Sequence, residues 1–265
     1  MRSTEKASLC GAFFVVLCFF NCLFPAVSAA GCSLLKQGKA AEVSYVYDGD
    51  TLKLADGRKI RLIGINTPEM GRDGQSDEPG AVVAKQRLKT ILKASDNRIF
   101  LKTGKELQDR YKRILAHPYN TQGRNITEIL LREGLGYAIQ IPPNLSNLEC
   151  YRMAEQSARA GRQGLWEQGW TALDVNRMGG HEEGFYHIQG EVERIGKSRR
   201  SLWVELKQGP TIRIDWSDWH LFKDWDPDEL VGKRLEARGW IYRRKGQQRM
   251  QVRHPAAVRR LDSGA

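Results

Sequence analysis

Apolar and polar positions alternate with period two along much of this chain, and helical spacing interrupts the alternation at four places. Residues 43–46 and 51–54 alternate around the turn Asp48-Gly49-Asp50, which predicts a β-hairpin. A second turn at Asp56-Gly57 leads into residues 59–65, again apolar on every other position. Residues 81–94 carry Val82, Val83, Leu88, Ile91 and Leu92 at helical spacing, with Lys85, Arg87, Lys89 and Lys93 between them, and predict an amphipathic helix. Residues 98–102 predict a short strand and 109–116 a turn entering another strand. Residues 126–134 and 147–162 predict two more helices, the first ended by Gly134 or Gly136. Beyond 184 the texture turns to strands: 186–195, 201–206, 211–215, 234–242 and 249–252, with a short helix over 216–222.

The boundary between these halves falls in 173–184, rich in Gly, Asn, Asp and Glu. The organisation expected is a leader over 1–31, a domain over 32–172, a linker over 173–184 and a second domain over 185–265. Residues 1–31 read as a secretory signal peptide: Arg2 and Lys6, then an apolar run too short for a comfortable membrane span, then the small residues Ala26-Val27-Ser28-Ala29-Ala30. The protein is therefore expected to be exported to the periplasm or beyond, with no membrane span. Removal of the leader leaves Cys32 and Cys150, an even pair that predicts a disulfide in an oxidising compartment. Closing so long a loop contributes about 4–5 kcal/mol in the chain-entropy account. The rival reading is a lipid anchor on Cys32, resting on Ala29-Ala30-Gly31-Cys32, a poor lipobox with alanine where leucine usually stands.

Candidate chemistry concentrates around the first hairpin. Asp50 leaves its turn, Arg61 lies on the third strand, and Asn66-Thr67-Pro68-Glu69 closes that strand. Pro68 cannot continue a ladder, so Glu69 belongs to a loop. A carboxylate, an amide oxygen and backbone carbonyls suit a hard cation such as Ca²⁺, and a guanidinium beside them suits a phosphate. Met70 to Pro79 encloses a polar, Gly-rich segment expected at the rim of the site. Histidines in metal-ligand spacing and Gly-x-Ser-x-Gly or Cys/His arrangements are absent from the sequence, which argues against zinc and acyl-transfer chemistry.

The pair Asp48-Gly49-Asp50-Thr51 and Arg61-Leu62-Ile63-Gly64-Ile65-Asn66-Thr67-Pro68-Glu69 resembles the signature of the staphylococcal nuclease family. Asp109-Arg110-Tyr111-Lys112-Arg113 resembles its second arginine motif, and Glu128 to Leu135, Ala154-Glu155 and Gly164-Leu165-Trp166 resemble its later helices and closing tryptophan. The resemblance spans roughly 40–170, with its motifs in family order. It implies an α+β fold built on a five-stranded barrel of the oligonucleotide-binding (OB) type with three helices. It also implies Ca²⁺-dependent hydrolysis of DNA and RNA, single strands preferred, to 3′-phosphate products. Glu69 is then the general base and Arg61 and Arg113 the phosphate clamps. Asp50, the Asn66 side chain and the Thr67 carbonyl hold the metal, and Arg110 and Tyr111 contact substrate. Two departures stand out. Asn66 replaces the family's second metal carboxylate, with Asp48 a candidate to compensate, and the family's pair of base-sandwiching tyrosines would fall near Ile139 and Ile141. The alternative is a catalytically weak or silent nucleic-acid-binding module, which the change at Asn66 favours.

The strand-strand-strand-helix-strand-strand order after 184 predicts a second, small all-β OB-like domain. Net charge is +11 over 265 residues, compatible with a polyanionic partner. Residues 184–265 hold 17 Lys/Arg against 11 Asp/Glu and five of the seven tryptophans. Arg199, Arg200, Arg243, Arg244 and Arg249 with aromatics suit a single-stranded nucleic-acid groove. Trp203 and Trp240, mid-strand, are expected in the core, while Trp216 and Trp219 are open to either assignment.

Overall fold

The computed structural model describes residues 32, 35, 38–71, 74–167 and 169–261; the expected signal peptide lies outside the described residues. The first hairpin forms where the alternation places it. Strands β1 (Lys39–Val46) and β2 (Thr51–Leu54) pair antiparallel, β2 pairs with β3 (Lys59–Leu62), and Gly57 adopts φ +89° in the turn between them. A two-residue strand β4 (Ile65–Asn66), helix α1 (Ala81–Lys93) and the long strands β5 (Arg98–Gln108) and β6 (Ile114–Tyr119) follow. Strands close in the order β1-β2-β3-β6-β5, with β3 and β6 parallel. Leu52, Leu54, Ile60, Leu62, Ile99 and Ala116 fill the barrel, and Ala84, Leu88 and Leu92 of α1 pack against the same core. This is the expected OB-type α+β barrel.

Helix α2 (Ile126–Arg132) starts at Asn125, whose side chain accepts the Glu128 N–H at 3.0 Å. Strand β7 (Tyr137–Ala138) pairs with β4, and helix α3 (Leu148–Ala160) packs on α2. Cys32 and Cys150 are joined by a disulfide, 118 residues apart in sequence, which ties the start of the described chain to α3.

Residues expected to continue the third strand to Ile65 do not do so. The chain breaks at Ile63-Gly64, because Gly64 takes φ +88° and a Cβ there would lie 2.3 Å from the Tyr151 ring. Ile65 and Asn66 thereby leave the barrel sheet for a separate pairing with Tyr137 and Ala138.

The second half builds another barrel with the same connectivity. Strands β9 (Gly184–Lys197), β10 (Ser201–Leu206), β11 (Thr211–Asp215), β12 (Arg234–Arg244) and β13 (Gln247–Gln251) close in the order β9-β10-β11-β13-β12, and β11 and β13 run parallel as β3 and β6 do. Two short strands flank them, β8 (Leu173–Asp174) beside β9 and β14 (Val258–Arg260) beside β12. Part of the expected linker is thus built into the sheet, and Val175 is buried in the second core, because Leu173, Val175 and Met178 are the apolar residues of that polar stretch.

Trp203 and Trp240 do not take the core places expected of them, and the pair left open, Trp216 and Trp219, does. Trp216, Trp219 and Trp225 pack against the core around Phe222, with Trp219 stacked on Phe222 at 5.7 Å. Trp203 and Trp240 point outward. Leu202, Val204 and Leu206 on β10 and Ile241 on β12 take the inward positions, and strand alternation sends the tryptophans to the other face.

The two barrels meet along α3 and β9. Tyr137 stacks on Trp170 at 4.5 Å and contacts Phe185 and His187. Beside this aromatic seam, Glu155, 2% exposed, accepts from Arg238 at 2.5 Å. Glu236 is buried against His187, Arg259 and Arg159. Such desolvated charges are tolerated only because they are mutually paired. Arg238→Ala leaves Glu155 with Arg159 at 3.5 Å and should destabilise the protein by about 3 kcal/mol. Replacing both partners by apolar residues, Glu155→Leu with Arg238→Met, should recover most of that loss. Chemical denaturation of the three proteins measures it; an Arg238→Ala protein as stable as the parent would show that the seam does not depend on this pair.

Candidate active site

The site is assembled around one turn and one arginine. In the turn Asp48-Gly49-Asp50, Asp48 Oδ1 accepts the Asp50 N–H at 3.0 Å. Gly49 is required by close packing, since a Cβ there would lie 2.7 Å from Ala84 Cβ and 2.8 Å from the Thr67 side chain. Asp50, 1% exposed, is held on both oxygens: Oδ2 accepts from Thr67 N–H at 2.8 Å and Thr67 Oγ1 at 3.2 Å, and Oδ1 from Thr51 Oγ1 at 3.0 Å.

Arg61 supplies the opposite charge. Its Nη2 lies 3.1 Å from Asp50 Oδ2 and donates to Asn66 Oδ1 at 3.1 Å, while Nη1 donates to the carbonyls of Leu62 and Ile65 at 2.9 and 2.8 Å. The break at Gly64 curls the chain so that these carbonyls and Asn66 converge on one guanidinium. Arg61, Asp50, Asn66 and Thr67 are thus brought together as expected, though Arg61 is a buried organiser of the site rather than an open surface arginine.

Arg113 joins from the turn that enters β6. Lys112 at φ +62° tightens the preceding turn, and Asp109 holds Arg113 through its N–H at 3.0 Å and Nε at 2.7 Å. Arg113 Nη1 reaches Thr51 Oγ1 at 3.4 Å, which connects it to Asp50 through one hydroxyl. Tyr111 stands 63% exposed, with the guanidinium groups of Arg110 and Arg113 over its ring at 4.7 and 5.4 Å. Ile141 is exposed where the resemblance places a tyrosine, leaving Tyr111 as the aromatic beside the arginines.

Glu69 is exposed on the loop after Pro68. The loop is fastened at its base: Glu69 N–H donates to Glu78 Oε2 at 2.9 Å and Glu78 N–H to the Glu69 carbonyl at 3.0 Å.

Negative charge exceeds positive at this turn. Asp48 is 2% exposed, and its carboxyl is pushed up to about 7 by burial first, then by the charge of Asp50, with Glu69 adding and the Asp50 N–H and Arg61 opposing. Two buried carboxylates sharing one turn, with an amide oxygen and main-chain carbonyls beside them, form a hard-oxygen donor set that fits Ca²⁺. Among the described residues, three or more His, Cys, Asp or Glu ligand atoms converge only at Cys32, Glu128 and Cys150, where the cysteines are oxidised to a disulfide. A cation at the turn would therefore depend on Asn66, carbonyls and water besides Asp50.

Sequence reasoning passed over Thr51 as the bridge between Arg113 and Asp50, although it stands in the quoted motif. It also missed the aromatic cleft next to Asn66. Tyr137, Trp170 and Phe185 come from three separate segments, and no local pattern announces their meeting.

Residues 59–168 match the family model described as staphylococcal nuclease homologue. Over 125 residues the chain is 29% identical to "Endonuclease YncB" of Bacillus subtilis (strain 168), covering 46% of this chain and 58% of that relative. Over 130 residues it is 29% identical to an "Uncharacterized endonuclease" of Escherichia coli, covering 47% and 74%. It is 28% identical over 134 residues to "Probable endonuclease lcl3" of Talaromyces marneffei (strain ATCC 18224 / CBS 334.59 / QM 7333), covering 46% and 36%. The chain thus spans less than two thirds of YncB. The segment similar to the staphylococcal nuclease homologue model runs from β3 to just past Trp166, and the whole of the second barrel lies beyond it.

Asp48 gives the site a signed pH dependence. With a folded pKa near 7 against an ordinary 3.8, the folded protein keeps a proton that the unfolded chain releases between those values. Stability from this group is therefore present below pH ~4 and lost as pH rises through ~7. In chelator, Asp48→Asn should raise stability at pH 8 by on the order of 2–4 kcal/mol and change it little at pH 4. Denaturation at both pH values checks this; an equal effect at both would contradict the buried-carboxylate account.

Proposed function

We propose that the chain is an exported, Ca²⁺-dependent nuclease that hydrolyses phosphodiester bonds of DNA and RNA, favouring single strands and leaving 3′-phosphate ends. The observation that carries this reading is the meeting at the Asp48–Asp50 turn of a buried arginine and a second arginine one hydroxyl away, with the exposed Glu69 near enough for its charge to act on Asp48. Binding alone would not require a base. The disulfide supports an oxidising compartment, and among the described residues no helix is long and apolar enough to cross a membrane.

Each residue then has a task. Asp50, Asn66 Oδ1 and the Thr67 carbonyl would hold Ca²⁺, which when bound supplies positive charge to the phosphoryl oxygens and orders the attacking water. Glu69 takes the proton from the water that attacks phosphorus; the P–O5′ bond breaks as the new P–O bond forms, which leaves the phosphate on the 3′ oxygen, and the departing 5′ oxygen takes up a proton from solvent. Arg113, a quarter exposed, meets the phosphate from the open side, with Asp109 fixing its fork. Arg61 balances Asp50 and carries the buried half of the clamp, so that charge developing on the phosphate meets donors already in place. Tyr111 and Arg110 present a stacking face beside Arg113. The second reading, a silent binding module, is favoured by Asn66, whose neutral side chain lowers the ligand charge on which Ca²⁺ affinity depends.

Incubation of the purified protein with denatured DNA separates the readings: cleavage in Ca²⁺ that stops in chelator supports the nuclease, and binding without cleavage supports the module. Glu69→Gln should lower turnover by about 10²–10⁴-fold with the fold intact; parent-like hydrolysis by a folded variant would remove Glu69 from its role. Asn66→Asp should lower the Ca²⁺ concentration for half-maximal activity and Asn66→Ala should raise it. If titrating Ca²⁺ moves neither midpoint, Asn66 is not a ligand.

A further inference from the structure

The outward positions of the second barrel line up in one row. Strand register places Phe185 beside Trp240, Trp240 beside Gln251, Gln251 beside Arg213 and Arg213 beside Trp203. The apolar residues next to them, Leu202, Ile212, Ile241 and Met250, occupy the core, so strand alternation commits the row to the outer face. At four strand spacings it runs roughly 19 Å across the barrel. Trp240 is 39% exposed and meets Phe185 edge-on at 5.0 Å. At the far end, the guanidinium groups of Arg249 and Arg213 lie over the Trp203 ring at 4.7 and 5.8 Å.

The near end of the row reaches the nuclease domain. Phe185 contacts Tyr137 at 5.3 Å, and both line a cleft of about 340 Å³ together with Asn66, Thr67 and Pro68. Those three residues lead directly to Glu69. A surface of aromatic faces and guanidinium groups therefore extends from the second barrel to the strand end that carries the proposed metal ligands.

The charges along it fit a polyanion that exposes its bases. Asp215 is engaged by Arg213 at 2.6 Å and by Gln251 Nε2 at 3.1 Å, and Glu205 is engaged by Arg194 at 2.7 Å, so the acidic groups of the face are already paired. Arg249 donates to the neutral Gln247 at 3.2 Å and keeps its charge available. Glu78 and Glu183 line the cleft, which disfavours phosphate there and offers acceptors to base amino groups. A tryptophan two-fifths exposed in the middle of a barrel strand adds nothing to the core; a ring face in reach of arginines is what single-stranded nucleic acid stacks on.

We propose that this row is a single-strand subsite. Bases stack on Trp240 and Trp203, a phosphate meets Arg249, and the strand passes Phe185 and Tyr137 into the cleft beside Asn66-Thr67-Pro68. The assignment deepens the nuclease reading, on which its direction towards Glu69 rests, but the binding it requires is measurable without cleavage.

The test uses the full chain in chelator with a fluorescein-labelled 16-nucleotide oligothymidylate, followed by anisotropy across a salt series. Trp240→Ala should weaken binding about tenfold or more, and Trp240→Phe, which keeps a ring face, should restore most of it. Arg249→Gln should lower the slope of log affinity against log salt by about 0.7, the value for one phosphate on a single strand. Parent-like affinity in Trp240→Ala together with an unchanged slope in Arg249→Gln would overturn the subsite, whether or not the protein cleaves. Binding that responds as stated, in a protein that cleaves nothing when Ca²⁺ is added, would sustain the subsite and overturn the nuclease reading instead.

Discussion

The buried pair of Asp50 and Arg61 is the constraint on which the rest of the site depends. A carboxylate 1% exposed and an arginine 8% exposed persist inside a barrel because each satisfies the other and both make further hydrogen bonds. The partners in those bonds are the parts of the site. Thr67 fastens the end of β4, the carbonyls of Leu62 and Ile65 fix the curl after β3, Asn66 is aimed by the same guanidinium, and Thr51 passes the order on to Arg113. The proposed metal donors and phosphate binders therefore share one knot, and a change to any strand of it reaches the others.

A second constraint comes from the seam between barrels. Tyr137 belongs to β7, which pairs with Asn66, and its ring is clamped between Trp170 and Phe185. The second barrel thus bears on the strand that presents Asn66, while Glu155, Arg238, Glu236 and His187 fix the barrels beside α3. Repetition of one five-stranded connectivity in both halves means that each contributes a curved face, and the seam joins those faces into one surface.

Where structure follows local chemistry, the sequence was readable. The Asp48-Gly49-Asp50 turn, the α1 stripe and the grouping of Asp50, Arg61, Asn66 and Thr67 lie within short stretches whose spacing carries their geometry. What escaped reading depended on distant packing. Gly64 breaks β3 because Tyr151, from α3, occupies the space a side chain would need. Trp203 was expected inside for its place in mid-strand, although Leu202, Val204 and Leu206 already claimed the inward parity of that strand. Leu173 and Val175 looked like linker because their neighbours are polar, yet a strand edge and an open corner of the second core take them up.

The central claim is that the Asp50–Arg61 knot is built to receive a Ca²⁺ ion. It is tested most directly by a crystal structure grown in Ca²⁺ with a nucleoside 3′,5′-bisphosphate, in which anomalous scattering locates the ion. The account predicts one ion about 2.3–2.6 Å from an Asp50 carboxylate oxygen and from the Thr67 carbonyl oxygen, with a phosphate against Arg113. A bisphosphate bound with no ion at the Asp48–Asp50 turn, or an ion held elsewhere in the domain, would contradict it.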